Sequence, residues 1–262
     1  SKNALRSFRR RMQIVIQDPN SALDPKMCIR TSLAEGMVNF GIPATERARR
    51  TDELLGLVGL NPGHADRYPH EFPGGQKQRI VVAMALSLEP ELLVLDEPVS
   101  NLDVSIQAQI INLLLDLKQR LDLTYLFISH DLNLVGYLSD RIGVMYRGRI
   151  VEVGEADEIL HNPVHPYTKA LFAAVPGISG EGVARRVIHV REEEHAGKPG
   201  ASRPEQGATP GGGRWGCRFA DRCTLQETAC RETEPELVDI GGGTTDLIIY
   251  VDGGVILASP WS

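Results

Sequence analysis

Two short, uniformly apolar runs constrain this chain more than anything else in it: "ELLVLDE" at 91–97 and "LTYLFISH" at 123–130. Each is too short for an amphipathic helix and lacks the polar alternation of a half-exposed strand. Each therefore predicts a strand covered on both faces, as in a parallel sheet. Between them, "VSIQAQIINLLLDLKQRLD" sets Ile106, Ile110, Leu113, Leu114, Leu117 and Leu121 on one helical face, with Asp103 placed as the N-cap. Strand, helix and strand in that order are the unit of an α/β layered fold.

The same alternation extends outward. "RRRMQIVIQDPNSALDP" predicts a strand from Met12 to Ile16 that runs into a turn. From about Lys26 to Gly59 the pattern is helical, with Leu54, Leu55 and Val58 facing inward. "GQKQRIVVAMALSL" reads as a helix that opens directly after glycine, and "RIGVMYRGRIVEVG" as a hairpin. Beyond Gly154, "ADEILHNPVHPYTKALFAAVP" predicts a short pair of helical segments. Residues 177–213, rich in Gly, Pro, Glu and Arg, read as a linker or a poorly ordered region. "LVDIGGGTTDLIIYVDGGVIL" reads as two strands around a Gly-rich turn.

A net charge of −6 argues against a surface built to coat nucleic acid, and the one dense basic run, "RSFRRRM", reads as a solvated helix face. No apolar run approaches the ~20 residues that span a bilayer, and the first residues lack a signal peptide's plan. The expected location is the cytoplasm, with any membrane contact made through a partner. Four cysteines, Cys28, Cys217, Cys223 and Cys230, are too few for a disulfide framework.

Four features carry the chemistry, in a fixed order. Gln17 follows a strand, "GGQKQR" opens a helix at Gly74, Asp96 and Glu97 end a buried strand, and His130 ends the next. Adjacent strand-end carboxylates suit a metal-bound phosphate, and a helix start offers free N–H groups to an anion. With these residues the sequence resembles the ATP-binding-cassette (ABC) ATPases over roughly residues 1–236. "IQDP" resembles the Q-loop, "FPGGQKQR" the signature, "LLVLDEP" the Walker B strand, "SNLD" the D-loop and "FISHD" the H-loop. Within that superfamily, "VIQDPNSALDP", "DEPVSNLDVSIQAQ", "NPVHPYTKAL" and "GCRFADRC" are similar to the oligopeptide/dipeptide importer ATPases.

The resemblance implies a P-loop NTPase-like α/β core, an incomplete parallel sheet with helices, over 1–155. It includes a helical subdomain at about 26–90, and an importer-type extension follows at 156–236. It implies ATP and Mg²⁺ as ligands. Asp96 would hold the metal, and Gln17 would touch the metal or a water. Glu97 would act as general base or orient the attacking water, and His130 would contact the γ-phosphate. Gly74, Gly75, Gln76 and Asp103 would face nucleotide shared with a second ABC subunit, identical or not. Transmembrane permease subunits would be the direct partners and a peptide-binding protein an indirect one, with the chain peripheral on the inner face of the membrane. Segment 26–70 would be the coupling surface.

Several departures accompany the resemblance. No G-x-x-x-x-G-K-[ST] occurs; the Gly197–Lys198 pair runs into Pro199. The expectation is that Ser1 cuts a longer parent and that ATP hydrolysis by this chain alone is weak or absent. Pro73 stands where the signature usually has Ser. Cys217, Cys223 and Cys230 resemble a C-terminal motif on which some peptide-importer ATPases carry an iron–sulfur cluster, although such a cluster normally takes four cysteines. The tail 237–262 resembles a phosphate-binding hairpin of actin-like cell-division ATPases, in which Asp239, Gly241 to Gly243 and Thr244 would approach phosphate. It reads as a fused segment. Two other readings stay open: a non-transport ABC ATPase, and a catalytically inert fragment that still folds or binds a partner.

Overall fold

The computed structural model of the chain describes residues 2–174, 216–233 and Leu237, and the backbone of 239–240, 247–251 and 254–258. The linker expectation for 177–213 and the phosphate-hairpin expectation for Gly241 to Thr244 fall outside the described residues.

Helix α1 (Lys2–Arg11) is exposed along its described length and carries Arg9, Arg10 and Arg11 in its last turn, so the basic run is a solvated helix face. Strand β1 (Met12–Val15) follows, then a single turn, α2 (Pro19–Ala22), capped by the Asp18 side chain. Helices α3 (Ile29–Asn39), α4 (Ala44–Leu57) and α5 (Gly74–Leu86) form a helical lobe. The continuous helical pattern read from Lys26 to Gly59 is thus two helices. Gly41, at φ 76°, turns the chain after α3, and Pro43 is the N-cap that starts α4 afresh.

Strand β2 (Leu92–Asp96), helix α6 (Val104–Leu121) and strand β3 (Thr124–Ser129) realise the central βαβ unit. Asp103 caps α6, its carboxylate accepting from the N–H of Ile106 at 3.0 Å. The helix buries Ile110, Ile111, Leu114 and Leu117. Leu121, expected on that face, is 43% exposed, because Asp122 at φ 52° ends the helix one residue later. Helix α7 (Leu132–Leu138) leads to the antiparallel hairpin β4 (Arg141–Tyr146) and β5 (Arg149–Glu155), then to α8 (Ala156–His161), α9 (Pro166–Ala173) and α10 (Ala229–Glu232).

Three distal strands, β6 (Asp239–Ile240), β7 (Leu247–Val251) and β8 (Gly254–Ala258), enter the same sheet as the core. Its order is β1-β2-β3-β8-β7-β4-β5-β6. β1, β2 and β3 are parallel, with Val15 opposite Leu95 and Leu95 opposite Phe127. Those three side chains and Leu93 are buried, each contributing about 1.5–3 kcal/mol relative to exposure. At the outer edge, Ile14 of β1 is 56% exposed. Among the described residues, no helix is long and apolar enough to cross a membrane.

Residues 216–233 dock on the β4–β5 hairpin. Phe219 is buried, with its ring edge-on to Tyr146 at 5.3 Å and tilted against Tyr167 at 5.4 Å. Arg218 donates to the Arg147 carbonyl. The buried Glu152 carboxylate of β5 accepts from the N–H groups of Val164 (2.6 Å) and His165 (3.0 Å), which fixes the entry to α9.

Candidate active site

Parallel strands release their chains at one end of a sheet, so residues just past β1, β2 and β3 share an edge, the usual place for a ligand crevice in open α/β sheets. Gln17, Glu97 and His130 occupy those positions. Gln17 Nε2 donates to Glu97 Oε2 at 2.7 Å and approaches Ser100 Oγ at 3.3 Å. His130 Nδ1 lies 3.2 Å from Glu97 Oε1. Both oxygens of one carboxylate are therefore engaged, by side chains from two neighbouring strand ends. The His130 side chain is 55% exposed and that of Glu97 23%, so the group faces solvent from a half-sheltered base.

Backbone geometry holds Glu97 there. Its N–H donates to the Ile128 carbonyl at 2.9 Å, extending the β2–β3 ladder by one rung. Its φ is 44°, a left-handed conformation that a side chain with a Cβ adopts at a cost of about 1 kcal/mol. Asp96, one residue earlier, is half-buried. Burial first, and the adjacent Glu97 charge second, push its carboxyl above the usual range. Among the described residues, neither acid pairs with a Lys or Arg.

The signature helix forms a second group beside the first. α5 begins after Pro73, whose carbonyl accepts from the N–H groups of Gln76 and Lys77, both at 3.0 Å. Pro73 gives no side-chain cap. Gly74 and Gly75 lie against the first turn of α6: a Cβ on Gly74 would sit 3.8 Å from Leu102, and one on Gly75 only 2.5 Å from Ile106 Cγ2. Asp103 spends its carboxylate on the α6 cap and on Ser105 Oγ at 2.8 Å, hydrogen bonds that pull its pKa down. Among the described residues, no hydrogen bond joins Gly74, Gly75 or Gln76 to the Gln17–Glu97–His130 group. What separates them is the turn 99–103, pinned by Gln107 Nε2 to the carbonyls of Val99 (3.1 Å) and Leu102 (3.0 Å).

Sequence reasoning missed three participants. Ser100 had a signal, since it opens "SNLD" beside the named Asp103. Asn20 and Lys77 had none: Lys77 Nζ donates to Asn20 Oδ1 at 2.9 Å and so ties α5 to the turn after Gln17, across 57 residues of chain. A separate cleft of about 420 Å³, lined by Arg50, Leu54, Leu86, Glu89 and Leu123, opens at the amino end of β3, away from this group.

Cys217 donates its N–H to the Cys230 carbonyl at 2.8 Å, and burial, then the thiols of Cys230 and Cys223, push the Cys217 thiol pKa up. Yet among the described residues no three His, Cys, Asp or Glu side chains converge as a metal-holding group. Cys217, Cys223 and Cys230 are free thiols. The backbone tie between Cys217 and Cys230 reflects packing of their chain segments, since a Cβ on Gly216 would fall 2.7 Å from the Arg231 carbonyl oxygen.

The family model "ABC transporter" matches residues 1–100, and "Oligopeptide/dipeptide transporter, C-terminal region" matches 151–230. The oligopeptide transport ATP-binding protein AppF of Bacillus subtilis is 44% identical over 88% of this chain and 67% of its own length. The putative oligopeptide transport ATP-binding protein YkfD of the same organism is 43% identical over 90% and 69%. OppF of Bacillus subtilis is 53% identical over 67% of this chain, which spans 58% of that relative. Among solved structures, cbiO1 of Clostridium perfringens, described as part of the ABC transporter complex cbiONQ, superposes with a TM-score of 0.55 and 31% identity. That match covers 61% of this chain and 62% of cbiO1.

Proposed function

The chain belongs to the ATP-binding proteins of oligopeptide and dipeptide ABC transporters, and from that membership we propose that it binds and hydrolyses ATP to power peptide import. The observation that carries this reading is the Glu97 carboxylate, held by Gln17 on one oxygen and faced by His130 on the other. A carboxylate so fixed beside a solvent-facing imidazole suits the alignment of an attacking water. Phosphoryl transfer asks mainly for positioning and charge stabilisation.

Charge supports a divalent cation at this edge. Burial first, and the adjacent Glu97 charge second, raise the cost of ionising Asp96, which has no basic partner among the described residues, and a hard cation relieves it. Mg²⁺ keeps several waters, so one protein carboxylate beside phosphate oxygens is enough to hold it. Asp96 would hold it, with Gln17 at the metal or its water; the bound ion supplies charge neutralisation on the phosphates. Glu97 accepts the proton of the attacking water or orients it, and His130 steadies the γ-phosphate side. Gly74 and Gly75, whose N–H groups meet no acceptor among the described residues, with Gln76 in the same first turn and Asp103 beyond the turn 99–103, face nucleotide shared with a second ABC subunit. The helical lobe within 26–70 meets permease subunits at the inner membrane face, and a peptide-binding protein acts through them.

The sequence holds no G-x-x-x-x-G-K-[ST] loop, the kind whose N–H groups and Lys cradle nucleotide phosphates. Binding is therefore read first. ATP with Mg²⁺ should raise the melting temperature of the wild-type chain and not of Asp96→Ala. Any phosphate release should fall by roughly 10²-fold or more in Glu97→Gln, the range expected when a general base is lost. No thermal shift in a chain that is folded by circular dichroism, or turnover untouched by Glu97→Gln, would overturn the reading.

A further inference from the structure

The strand pair β7–β8 lies outside both matched family segments, which end at residue 230, yet it sits in the middle of the sheet. β3 and β4 are not neighbours in the order; β8 pairs with β3 and β7 with β4, and Ile256 of β8 also pairs with Gly143 of β4. β7 runs parallel to β4 through four residue pairs, from Arg141↔Leu247 to Met145↔Val251. β8 returns antiparallel and meets β3 at two pairs alone, Ile128↔Ile256 and Ser129↔Val255. Those two residues of β3 immediately precede His130.

The end of β3 is thus gripped from both sides. On one side the Ile128 carbonyl accepts from the N–H of Glu97, and on the other β8 supplies the two pairs. His130 leaves the sheet at that point and turns its ring to Glu97, while the next residue is fastened back by Asp131 N–H donating to Ser129 Oγ at 3.0 Å. Without β8, one flank of Ile128 and Ser129 carries no ladder partner, and a strand end held on one flank frays. We infer that the β7–β8 pair is a positioning element for the site: it wedges the sheet between β3 and β4 and holds the His130-bearing strand end at the distance from which the ring reaches Glu97. The inference rests on the His130–Glu97 contact and not on the reaction the two residues serve, so it can fail while the nucleotide reading stands.

Proline tests it in the full chain, because it removes a ladder N–H and disfavours a central-strand backbone. Adjacent antiparallel pairs alternate between hydrogen-bonded and non-bonded, so Val255→Pro and Ile256→Pro are made separately, with Val255→Thr as the variant that keeps the N–H. Amide exchange should accelerate about tenfold or more at Ile128 and Ser129 in at least one proline variant, while amides of α3 to α5 keep their protection. The Cε1–H resonance of His130 should shift in that same variant and stay put in Val255→Thr. Unchanged exchange at Ile128 and Ser129 with an unmoved His130 resonance in both proline variants would sink the inference. Equal acceleration throughout α3 to α5 would do so too, since it would mean support of the fold as a whole.

Discussion

At the scale of single residues, the site is a contest between ionisation and burial. Asp96 is held above the ordinary carboxylate range by burial and by Glu97. A carboxyl raised on folding costs stability once it ionises. The cost is absent below the unfolded value of 3.8 and complete above the raised folded value. Asp96→Asn removes the charge and keeps the shape. It should therefore melt higher than wild type at pH 7, and the gap should close as the pH approaches 3.8, read by calorimetry across that window. A gain in stability with a loss of binding is the usual signature of a residue kept for function. Gln17, Glu97 and His130 were legible in the sequence because each follows an apolar strand run, and strand ends share an edge. Asn20 and Lys77 were not, because nothing local announces a hydrogen bond between a turn and a distant helix.

At the scale of elements, the start of α5 against α6 decides more than helix propensity. Ala in place of Gly gains about 1 kcal/mol inside a helix. At Gly75, however, the new Cβ would meet Ile106 Cγ2 at 2.5 Å, and a β-branched side chain has little rotamer freedom with which to yield. Overpacking of this kind costs about 1–3 kcal/mol, so Gly75→Ala should lower the urea midpoint without changing its slope. Gly74→Ala, whose Cβ would find Leu102 at an ordinary 3.8 Å, should be tolerated and serves as the control. Helix periodicity located α5 and α6, and the Asp103 cap, from the residues alone. It ran α3 and α4 together, because Leu and charged residues continue on both sides of Gly41 and only the φ of that glycine and the proline after it mark the break.

At the scale of the whole molecule, the chain is held as one body by two long-range ties that local patterns do not show. One is the eight-stranded order itself: the two distal strands read as a separate hairpin, and nothing in their alternation says which strands they pair with. The other is the docking of 216–233 through Phe219, Tyr146, Tyr167 and the α9 entry. His165 belongs to that seam. It caps α9 by accepting from the Tyr167 N–H at 3.1 Å, and burial lowers its pKa to about 4. A histidine depressed on folding contributes stability that is complete above the unfolded value of 6.5 and is lost as the pH falls through about 4. Between those values the melting temperature should drop in wild type and drop less in His165→Asn, which keeps an acceptor and cannot charge.

The outermost strand has a consequence for handling. β1 is four residues long, with Ile14 more than half exposed, and an outer rim without a strand partner among the described residues is a template for any extended backbone that drifts past. Arg9, Arg10 and Arg11 stand just before it as gatekeepers. Like charges keep two copies apart there only while the ionic atmosphere is thin; at 0.1 M salt the repulsion reaches no further than about 10 Å. Concentrated, salty solutions should therefore turn a dispersed protein into rim-to-rim multimers before anything in its interior has come loose.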